Sequence, residues 1–253
     1  MKHLLIIISI LLLSSPIFGQ SFVSVGNSGN IITSSDGISW TKRTSGTRED
    51  LKGVTSGNGL FVTDGNSGTI LTSPDGNSWT KRTSGTSMYL RGVTYGNGLF
   101  VTVGFLGTIL TSPDGITLTE RTSGIFRNLY GVTSGNGLFV TVGWNGTILT
   151  SSDGITWTER NSGTPIELYG VTSGNGLFVT VGFFGTILTS PDGITWTERT
   201  SGTWVYLRGV TSGNGLFVTV GESGTILTSP DGNLWTKRTS GTSKYLIGVT
   251  YSQ

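Results

Sequence analysis

Residues 51–85 read LKGVTSGNGLFVTDGNSGTILTSPDGNSWTKRTSG, and this stretch returns along the chain with a constant period. Its Gly-Val-Thr triplet is always found 39 residues further on, at Gly53, Gly92, Gly131, Gly170, Gly209 and Gly248. A period near 40 residues that contains several short strands is typical of β-propeller blades. The 253-residue chain is therefore predicted to repeat one small sheet.

One copy contains four strand-like runs separated by turn residues: 51–56, 60–65, 69–72 and 79–83. Lys81 and Arg82 place charge on the fourth run, which is typical of a solvated outer edge strand. Gly57-Asn58-Gly59 predicts a tight hairpin, because these residues tolerate a positive φ. We therefore predict an all-β fold, a six-bladed β-propeller with four antiparallel strands in each blade of about 39 residues.

The two ends of the chain carry incomplete copies that complement each other. The first copy lacks its Gly-Val-Thr strand, and residues 246–251 are little more than that strand. The 234 residues from Gln20 to Gln253 equal six units of 39. We expect the C-terminal strand to join the N-terminal blade and close the ring, because closure removes open strand edges.

The first 19 residues predict a signal peptide. Lys2 and His3 precede an apolar run of ten residues, 4–13, which is interrupted only by Ser9, and small residues lead to Gly19. The apolar run is shorter than the ~20 residues that span a bilayer, so no transmembrane anchor is expected. Residues 20–253 are predicted to be exported, to the periplasm, the cell surface or the medium, as one monomeric propeller domain.

Composition excludes several function classes. The 41 glycines come with only six prolines and no collagen period, and a net charge of +2 gives no nucleic-acid footprint. The chain has no cysteine, and its single histidine, His3, lies in the predicted signal peptide. The exported part therefore has neither a Ser-His-Asp arrangement nor thiolate or imidazole metal ligands. We predict no enzyme activity, no metal, no cofactor and no nucleic-acid partner.

Each copy also contains a turn of the form Ser-x-Asp-Gly-x-x-Trp, except that the third copy has Leu118 in place of the tryptophan. The turn aspartates are Asp36, Asp75, Asp114, Asp153, Asp192 and Asp231. A carboxylate at the start of a tight turn accepts backbone N–H groups one or two residues further on, which predicts a structural role.

This turn resembles the Asp-box of the neuraminidase-like (BNR) propellers, with one residue fewer between Asp and Gly. The whole repeat, with Gly-Thr-Ile-Leu-Thr-Ser-x-Asp-Gly-x-x-Trp, is similar to the propellers of the photosystem II stability and assembly factors. The resemblance covers essentially all of residues 20–253. It implies that the six aspartates are structural and not catalytic, and that the propeller binds a protein or peptide.

The copies differ from one another at three places. These are the pair between the equivalents of Gly65 and Gly68, the triplet that begins at Arg48 and its equivalents, and the residue before Gly-Val-Thr. In an up-and-down blade both loops concerned open on the same side of the ring, so these positions converge on one surface, here called the variable face.

The variable face is rich in aromatic residues and arginine, which typify interaction hot spots. The candidate binding residues are Arg91, Phe105, Phe126, Tyr130, Trp144, Tyr169, Phe183, Phe184, Trp204, Tyr206 and Arg208. We predict that they bind a protein or peptide partner, as one composite site of an assembly or surface scaffold. The other interpretation of the same pattern is drift among duplicated copies.

Two further functions stay open. A lectin-like propeller would stack aromatic side chains on a glycan, although copies that differ in their loops favour one composite site over six equal ones. A sialidase-like glycoside hydrolase would need paired carboxylates, or arginines beside a tyrosine nucleophile. The carboxylates outside the repeat framework are Glu49, Asp50, Asp64, Glu167 and Glu222, and the arginines and tyrosines nearest the channel are Arg91, Arg208, Tyr130 and Tyr169.

Overall fold

The computed structural model describes residues 22–251, which form six antiparallel sheets in sequence order, numbered here as blades 1 to 6. Blade 1 has three strands and each of the others has four. This confirms the predicted all-β, six-bladed β-propeller. No helix among these residues has the length and apolarity needed to cross a membrane. The predicted signal peptide, residues 1–19, lies outside the described residues.

Blade 1 consists of β1 (Phe22–Val25), β2 (Ile31–Ser34) and β3 (Thr41–Arg43). The first strands of blades 2 to 6 are β4 (Leu51–Gly57), β8 (Leu90–Gly96), β12 (Leu129–Gly135), β16 (Leu168–Gly174) and β20 (Leu207–Gly213). Their second strands are β5 (Leu60–Gly65), β9 (Leu99–Gly104), β13 (Leu138–Gly143), β17 (Leu177–Gly182) and β21 (Leu216–Gly221).

The third strands are β6 (Ile70–Ser73), β10 (Ile109–Ser112), β14 (Ile148–Ser151), β18 (Ile187–Ser190) and β22 (Ile226–Ser229). The fourth strands are β7 (Thr80–Arg82), β11 (Thr119–Arg121), β15 (Thr158–Arg160), β19 (Thr197–Arg199) and β23 (Thr236–Arg238). A one-turn 3-10 helix at Asn27–Gly29 connects β1 and β2 of blade 1, which correspond to the second and third strands of the other blades. Equivalent 3-10 helices connect the second and third strands of blades 2 to 6 at Asn66–Gly68, Phe105–Gly107, Trp144–Gly146, Phe183–Gly185 and Glu222–Gly224.

The hairpin between the first two strands follows the prediction from Gly-Asn-Gly. In blade 2, Asn58 has a φ of 48° and Gly59 a φ of 72°, so both central residues of the turn are left-handed. Such a two-residue turn matches the right-handed twist of the strands that it joins. The strand bounds of this blade lie within one residue of those predicted.

The hydrophobic core lies between successive blades. Val140 and Ile148 of blade 4, for example, belong to one buried cluster with Leu168 and Phe178 of blade 5. Sheets covered on both faces need apolar residues on both, which is why the second and third strands do not alternate cleanly. The burial of one such side chain contributes about 1.5–3 kcal/mol, so this core fixes the positions from which the loops start.

The six turn aspartates hold their own turns, as in blade 5. Asp192 Oδ1 accepts the backbone N–H groups of Ile194 and Thr195 at 2.8 and 2.9 Å, and the Ser190 hydroxyl at 3.0 Å. The accepted N–H groups lie two and three residues on, one further than the sequence predicted. These backbone donors hold the pKa of the Asp192 carboxyl below its ordinary value. Trp196 Nε1 donates to the Gly193 carbonyl at 3.1 Å, so the indole covers the same turn.

The C-terminal segment, residues 244–251, lies against blade 6. Leu246 N donates to the Gly221 carbonyl at 3.0 Å, as Leu51 N donates to the Gly26 carbonyl at 3.1 Å where blade 2 follows blade 1. The segment therefore occupies the place of a further first strand.

We call the junction between the two ends of the chain the seam. On its blade 1 side, β1 pairs only with β2 within residues 22–251, and residues 239–251 form no strand. No atom lies within 4 Å of the Cβ position of Gly26, whereas its equivalent Gly65 abuts the Asp50 carbonyl. Ring closure by the C-terminal strand thus stays a prediction.

Candidate binding face

Backbone hydrogen bonds bring two of the three variable places together. In each of blades 2 to 6, the first residue of the variable pair donates its N–H to the last residue of the triplet that precedes the same blade. Trp144 N thus donates to Asn128 O at 2.9 Å, and Phe183 N to Glu167 O at 3.0 Å. The 3-10 turn and the connection between blades therefore lie side by side, and both face the same end of the molecule.

Aromatic side chains from blades 4 to 6 form one connected group, here called the inner aromatic cluster. The ring centroids of Tyr130 and Tyr169 are 5.5 Å apart, and those of Tyr169 and Phe183 are 5.4 Å apart. Phe183 continues to Tyr206 at 3.8 Å, and the Arg208 guanidinium lies 4.3 Å from the Tyr169 ring centroid. These five predicted residues thus form one continuous surface.

The charged neighbours of the inner aromatic cluster hold it in place. Arg208 Nη2 lies 3.1 Å from Glu222 Oε1, and the Tyr169 hydroxyl donates to Glu167 Oε2 at 2.7 Å. Burial and the adjacent Glu167 carboxylate raise the pKa of Tyr169 well above its ordinary value. The phenol therefore stays protonated at neutral pH and serves as the donor to Glu167.

A second group forms on blade 3. The ring centroids of Tyr89 and Phe105 are 5.4 Å apart, and the Arg91 guanidinium carbon lies 4.8 Å from the Phe105 centroid. Arg91 Nε is buried without a hydrogen-bond partner among residues 22–251. The structure therefore places Arg91 and Phe105 together, but it does not join them by ring contacts to the inner aromatic cluster.

The remaining predicted residues are the more exposed ones, and Phe184 among them also contacts the cluster, with its ring centroid 5.5 Å from that of Phe183 and 5.8 Å from that of Tyr206. Phe126 is 88% exposed and Trp204 84%, while Leu106, Phe184 and Trp144 are about half exposed. We call these five residues the exposed ridge. Leu106 was absent from the predicted site because the sequence criterion selected aromatic residues and arginine. The sequence feature that could have identified Leu106 is its position, which is equivalent to that of Phe184.

Two residues of the exposed ridge have a strained backbone. Leu106 has a φ of 53° and Phe184 a φ of 51°, in the left-handed region. The equivalent turns of other blades place serine or asparagine there, as at Ser67 and Asn145. A bulky L-residue in this conformation costs about 1–2 kcal/mol. About half of each side chain nevertheless stays in solvent.

The carboxylates considered for a hydrolase each have a local partner. Glu49 Oε2 accepts the Ser67 hydroxyl at 3.2 Å, and Asp50 Oδ2 lies 3.1 Å from Lys52 Nζ. Glu167 and Glu222 hold Tyr169 and Arg208, as described above. No group of three metal-ligating side chains occurs within the described part of the chain.

Asp64, the fifth of these carboxylates, lies in the interior. It is completely buried on β5, where the other blades have valine. Its Oδ1 accepts Gly53 N at 2.9 Å and its Oδ2 accepts the Thr102 hydroxyl at 2.5 Å. Burial raises the pKa of Asp64 to about 7.

A cavity recurs at the outer margin of the variable face, between the 3-10 turn and the end of the fourth strand. We call it the rim pocket. In blade 3 its volume is about 510 Å³, and Leu106, Thr108, Glu120 and Phe126 are among its walls. In blade 5 the volume is about 430 Å³, with Phe184, Thr186, Glu198 and Trp204 in the equivalent places.

The central residue of the fourth strand gives the rim a different charge on its two halves. Blades 6, 1 and 2 carry lysine there, and blades 3 to 5 carry glutamate: Lys237, Lys42, Lys81, Glu120, Glu159 and Glu198. The exposed ridge belongs to the acidic half. The charged pattern of this position predicted only a solvated edge strand, so Glu120 and Glu198 were not among the predicted site residues.

Comparison with solved structures supports the fold assignment. A structure of YCF48 bound to D1 peptide has a TM-score of 0.69 and 17% identity, covering 87% of this chain and 77% of that chain. YCF48 from Cyanidioschyzon merolae has a TM-score of 0.66 and 16% identity, covering 88% and 82%. A structure of the nidogen/laminin complex has a TM-score of 0.63 and 13% identity, covering 91% of this chain and 98% of that chain.

No family model and no curated protein sequence matches the chain. At these identities the structural matches concern the fold. They show a β-propeller similar to YCF48, which confirms at that level the resemblance to the assembly-factor propellers.

Proposed function

We propose that the chain is an exported, non-enzymatic β-propeller that binds a protein or peptide partner on its variable face. The observation that carries this proposal is the strained placement of Leu106 and Phe184. Both side chains are held half in solvent at a backbone cost that asparagine would lower. Strain of this kind is concentrated at binding sites, where the exposed side chain has another use.

The surroundings of these residues support a macromolecular partner. The inner aromatic cluster and the exposed ridge combine aromatic, aliphatic and arginine side chains over blades 3 to 6, which is the composition of a binding hot spot. Two of the similar structures are themselves complexes, one of YCF48 with D1 peptide and one of nidogen with laminin. A protein or peptide partner therefore suits this chain better than a small molecule.

Export is proposed from the charged and apolar pattern of residues 1–19 alone. N-terminal sequencing of the protein purified from the source organism tests it. A mature protein that begins at Gln20 is the expected result, and an intact Met1 in the exported fraction or retention in the cytoplasm contradicts it.

Partner binding is tested by capture from envelope extracts, followed by binding measurements with the purified partner. The test variant replaces Phe126, Phe184 and Trp204 with serine. The matched control replaces Ile116, Ile155 and Ile194, which are about half exposed on the Asp turns at the opposite side of the blades. We expect at least a tenfold loss of affinity in the test variant only.

Equal binding by both variants, with the fold intact by circular dichroism, overturns the proposal. A glycan array on the same proteins tests the lectin alternative. Binding of one simple sugar at six equivalents per chain favours a lectin. A serine variant that loses this sugar binding but keeps its protein partner also favours a lectin.

A further inference from the structure

We propose that the rim pockets of blades 3 and 5 each bind an arginine side chain of the partner. This inference rests on the proposed function, because it names the side chain that the variable face recognises. The observation behind it is an arginine of the chain itself, Arg127, which already binds the equivalent residues of blade 4.

Arg127 shows how a guanidinium fits this position. Its Nε donates to Thr147 Oγ1 at 2.8 Å, and its Nη2 forms an ion pair with Glu159. Thr147 directly precedes the third strand of blade 4, and Glu159 is the central residue of its fourth strand. One hydroxyl and one carboxylate therefore form a short polar surface that matches the geometry of an arginine side chain.

Blades 3 and 5 present the same polar pair. Glu120 and Glu198 have the same register as Glu159, since each is paired with the second residue of the neighbouring third strand. Thr108 and Thr186 are the equivalents of Thr147, 39 residues before and after it. Both pairs border the rim pockets of about 510 and 430 Å³.

What these two blades lack is an arginine at the position of Arg127. The arginines that do line the two pockets, Arg121 and Arg199, end the fourth strands. The positions equivalent to Arg127 are Met88 for blade 3 and Ile166 for blade 5, neither of which carries a charge. No described cation lies within 4 Å of the Glu120 or Glu198 carboxylate. A guanidinium from outside the chain therefore finds the same partners that Arg127 finds in blade 4.

The walls of the two pockets favour arginine over lysine. Phe126 and Leu106 border the blade 3 pocket, and Trp204 and Phe184 border the blade 5 pocket. A planar, weakly hydrated guanidinium stacks on aromatic faces while it donates to a carboxylate, whereas a lysine ammonium is a compact and strongly hydrated charge.

Lysine at the glutamate position excludes arginine from other rim pockets. In blades 1 and 6 the pockets contain Lys42 and Lys237 in place of glutamate. They repel a guanidinium, so the specificity is confined to the acidic half of the rim.

The probe for the test is N-acetyl-arginine amide, titrated into residues 20–253 and followed by NMR. The Trp204 indole N–H reports on blade 5 and the Leu106 methyl groups report on blade 3. We expect saturable shifts at both, and at least tenfold weaker binding of the neutral isostere N-acetyl-citrulline amide. Equal affinities for the two probes overturn the proposal.

Single substitutions separate the two pockets within one protein. Glu198→Gln is expected to abolish the response of Trp204 and to leave that of Leu106, while Glu120→Gln gives the reverse. In each variant the retained response proves that the protein is folded. Shifts that persist at both reporters in both variants contradict the proposal.

Filling a pocket from inside provides a second test. Ile166→Arg places a guanidinium where blade 4 has Arg127, and it is expected to block the probe at Trp204 only. Partner binding distinguishes this inference from the proposed function. In one outcome the serine variant of the exposed ridge loses the partner while arginine binds no better than citrulline. That result supports the proposed binding face and contradicts the arginine pockets.

Discussion

The Thr102 hydroxyl donates a hydrogen bond to Asp64 Oδ2 across the boundary between blades 2 and 3, over a distance of 2.5 Å. The equivalent threonines of blades 4, 5 and 6 donate to a carbonyl in the first strand of their own blade, as Thr141 does to Gly131 at 2.9 Å. A buried carboxyl has thus redirected one donor of an otherwise repeated pattern. Its raised pKa, about 7, reflects the cost of ionising it there.

We therefore expect stability to fall as the pH rises from about 4 to about 7. The folded protein keeps the Asp64 proton up to a pKa of about 7, whereas the unfolded chain releases it near 3.8. The contribution is complete below the unfolded pKa and is lost as the pH passes the folded one, by roughly 4 kcal/mol in all. Urea unfolding at pH 5 and pH 8 measures the change.

Asp64→Val gives the control for that pH dependence, because valine occupies this place in the other blades. We expect the variant to be more stable than the natural protein at pH 8 and to lose the slope between pH 4 and 7. Thr102→Val is expected to destabilise the natural protein, because it removes a donor to the Asp64 carboxyl. An unchanged slope in Asp64→Val would show that another group titrates.

Leu106→Asn should raise the free energy of unfolding by about 1 kcal/mol, because asparagine tolerates the left-handed backbone that leucine resists. The same change should weaken partner binding. The reciprocal control is Asn145→Leu in blade 4, which should destabilise by a similar amount. Thermal unfolding and partner titration measure the two effects, and a Leu106→Asn variant that is less stable contradicts the strain argument.

Asp192→Ala should lower Tm by a few degrees without affecting the partner, because the N–H groups of Ile194 and Thr195 lose their acceptor. The lowered pKa of this carboxyl means that its contribution is present above its ordinary value and is lost as the pH falls through its folded pKa. Asp192→Asn keeps one acceptor oxygen, so its Tm should lie between those of the natural protein and Asp192→Ala. Reduced partner binding by a folded Asp192→Ala protein argues against a purely structural turn.

Ring closure predicts a definite register. Val54 pairs with Thr63 in blade 2, and the corresponding pair at the seam is Val249 with Ser24. Cysteines at these two positions should form a disulfide within one chain, seen by non-reducing electrophoresis of the monomer. Cysteines at Ser24 and Thr250 serve as the out-of-register control. A disulfide-linked dimer, or none, speaks against closure within the chain.

The repeat explains why most of the fold was predictable. A 39-residue period states the turn chemistry and the strand order six times, so Asn58-Gly59 and Asp192 could be interpreted without coordinates. The seam could not be settled in this way, because it depends on small rotations between neighbouring sheets that add up around the ring.

The candidate site was predictable only in part. The convergence of the variable positions follows from topology, but the contacts between side chains from different blades do not. Nothing in the sequence showed that Arg127 reaches Thr147 and Glu159, 20 and 32 residues away. The left-handed backbone at Leu106 was equally hidden, since it is imposed by the turn and not by the residue.

The unequal charges of the rim give the disc a dipole in its own plane, with Lys42, Lys81 and Lys237 on one half and Glu120, Glu159 and Glu198 on the other. A net charge of only +2 hides this polarity. Long-range attraction orients a charged partner before contact, most strongly at low ionic strength. A basic partner thus approaches the acidic half of the rim, with the exposed ridge, first. The association rate reports this orienting effect, which equilibrium affinity alone does not reveal.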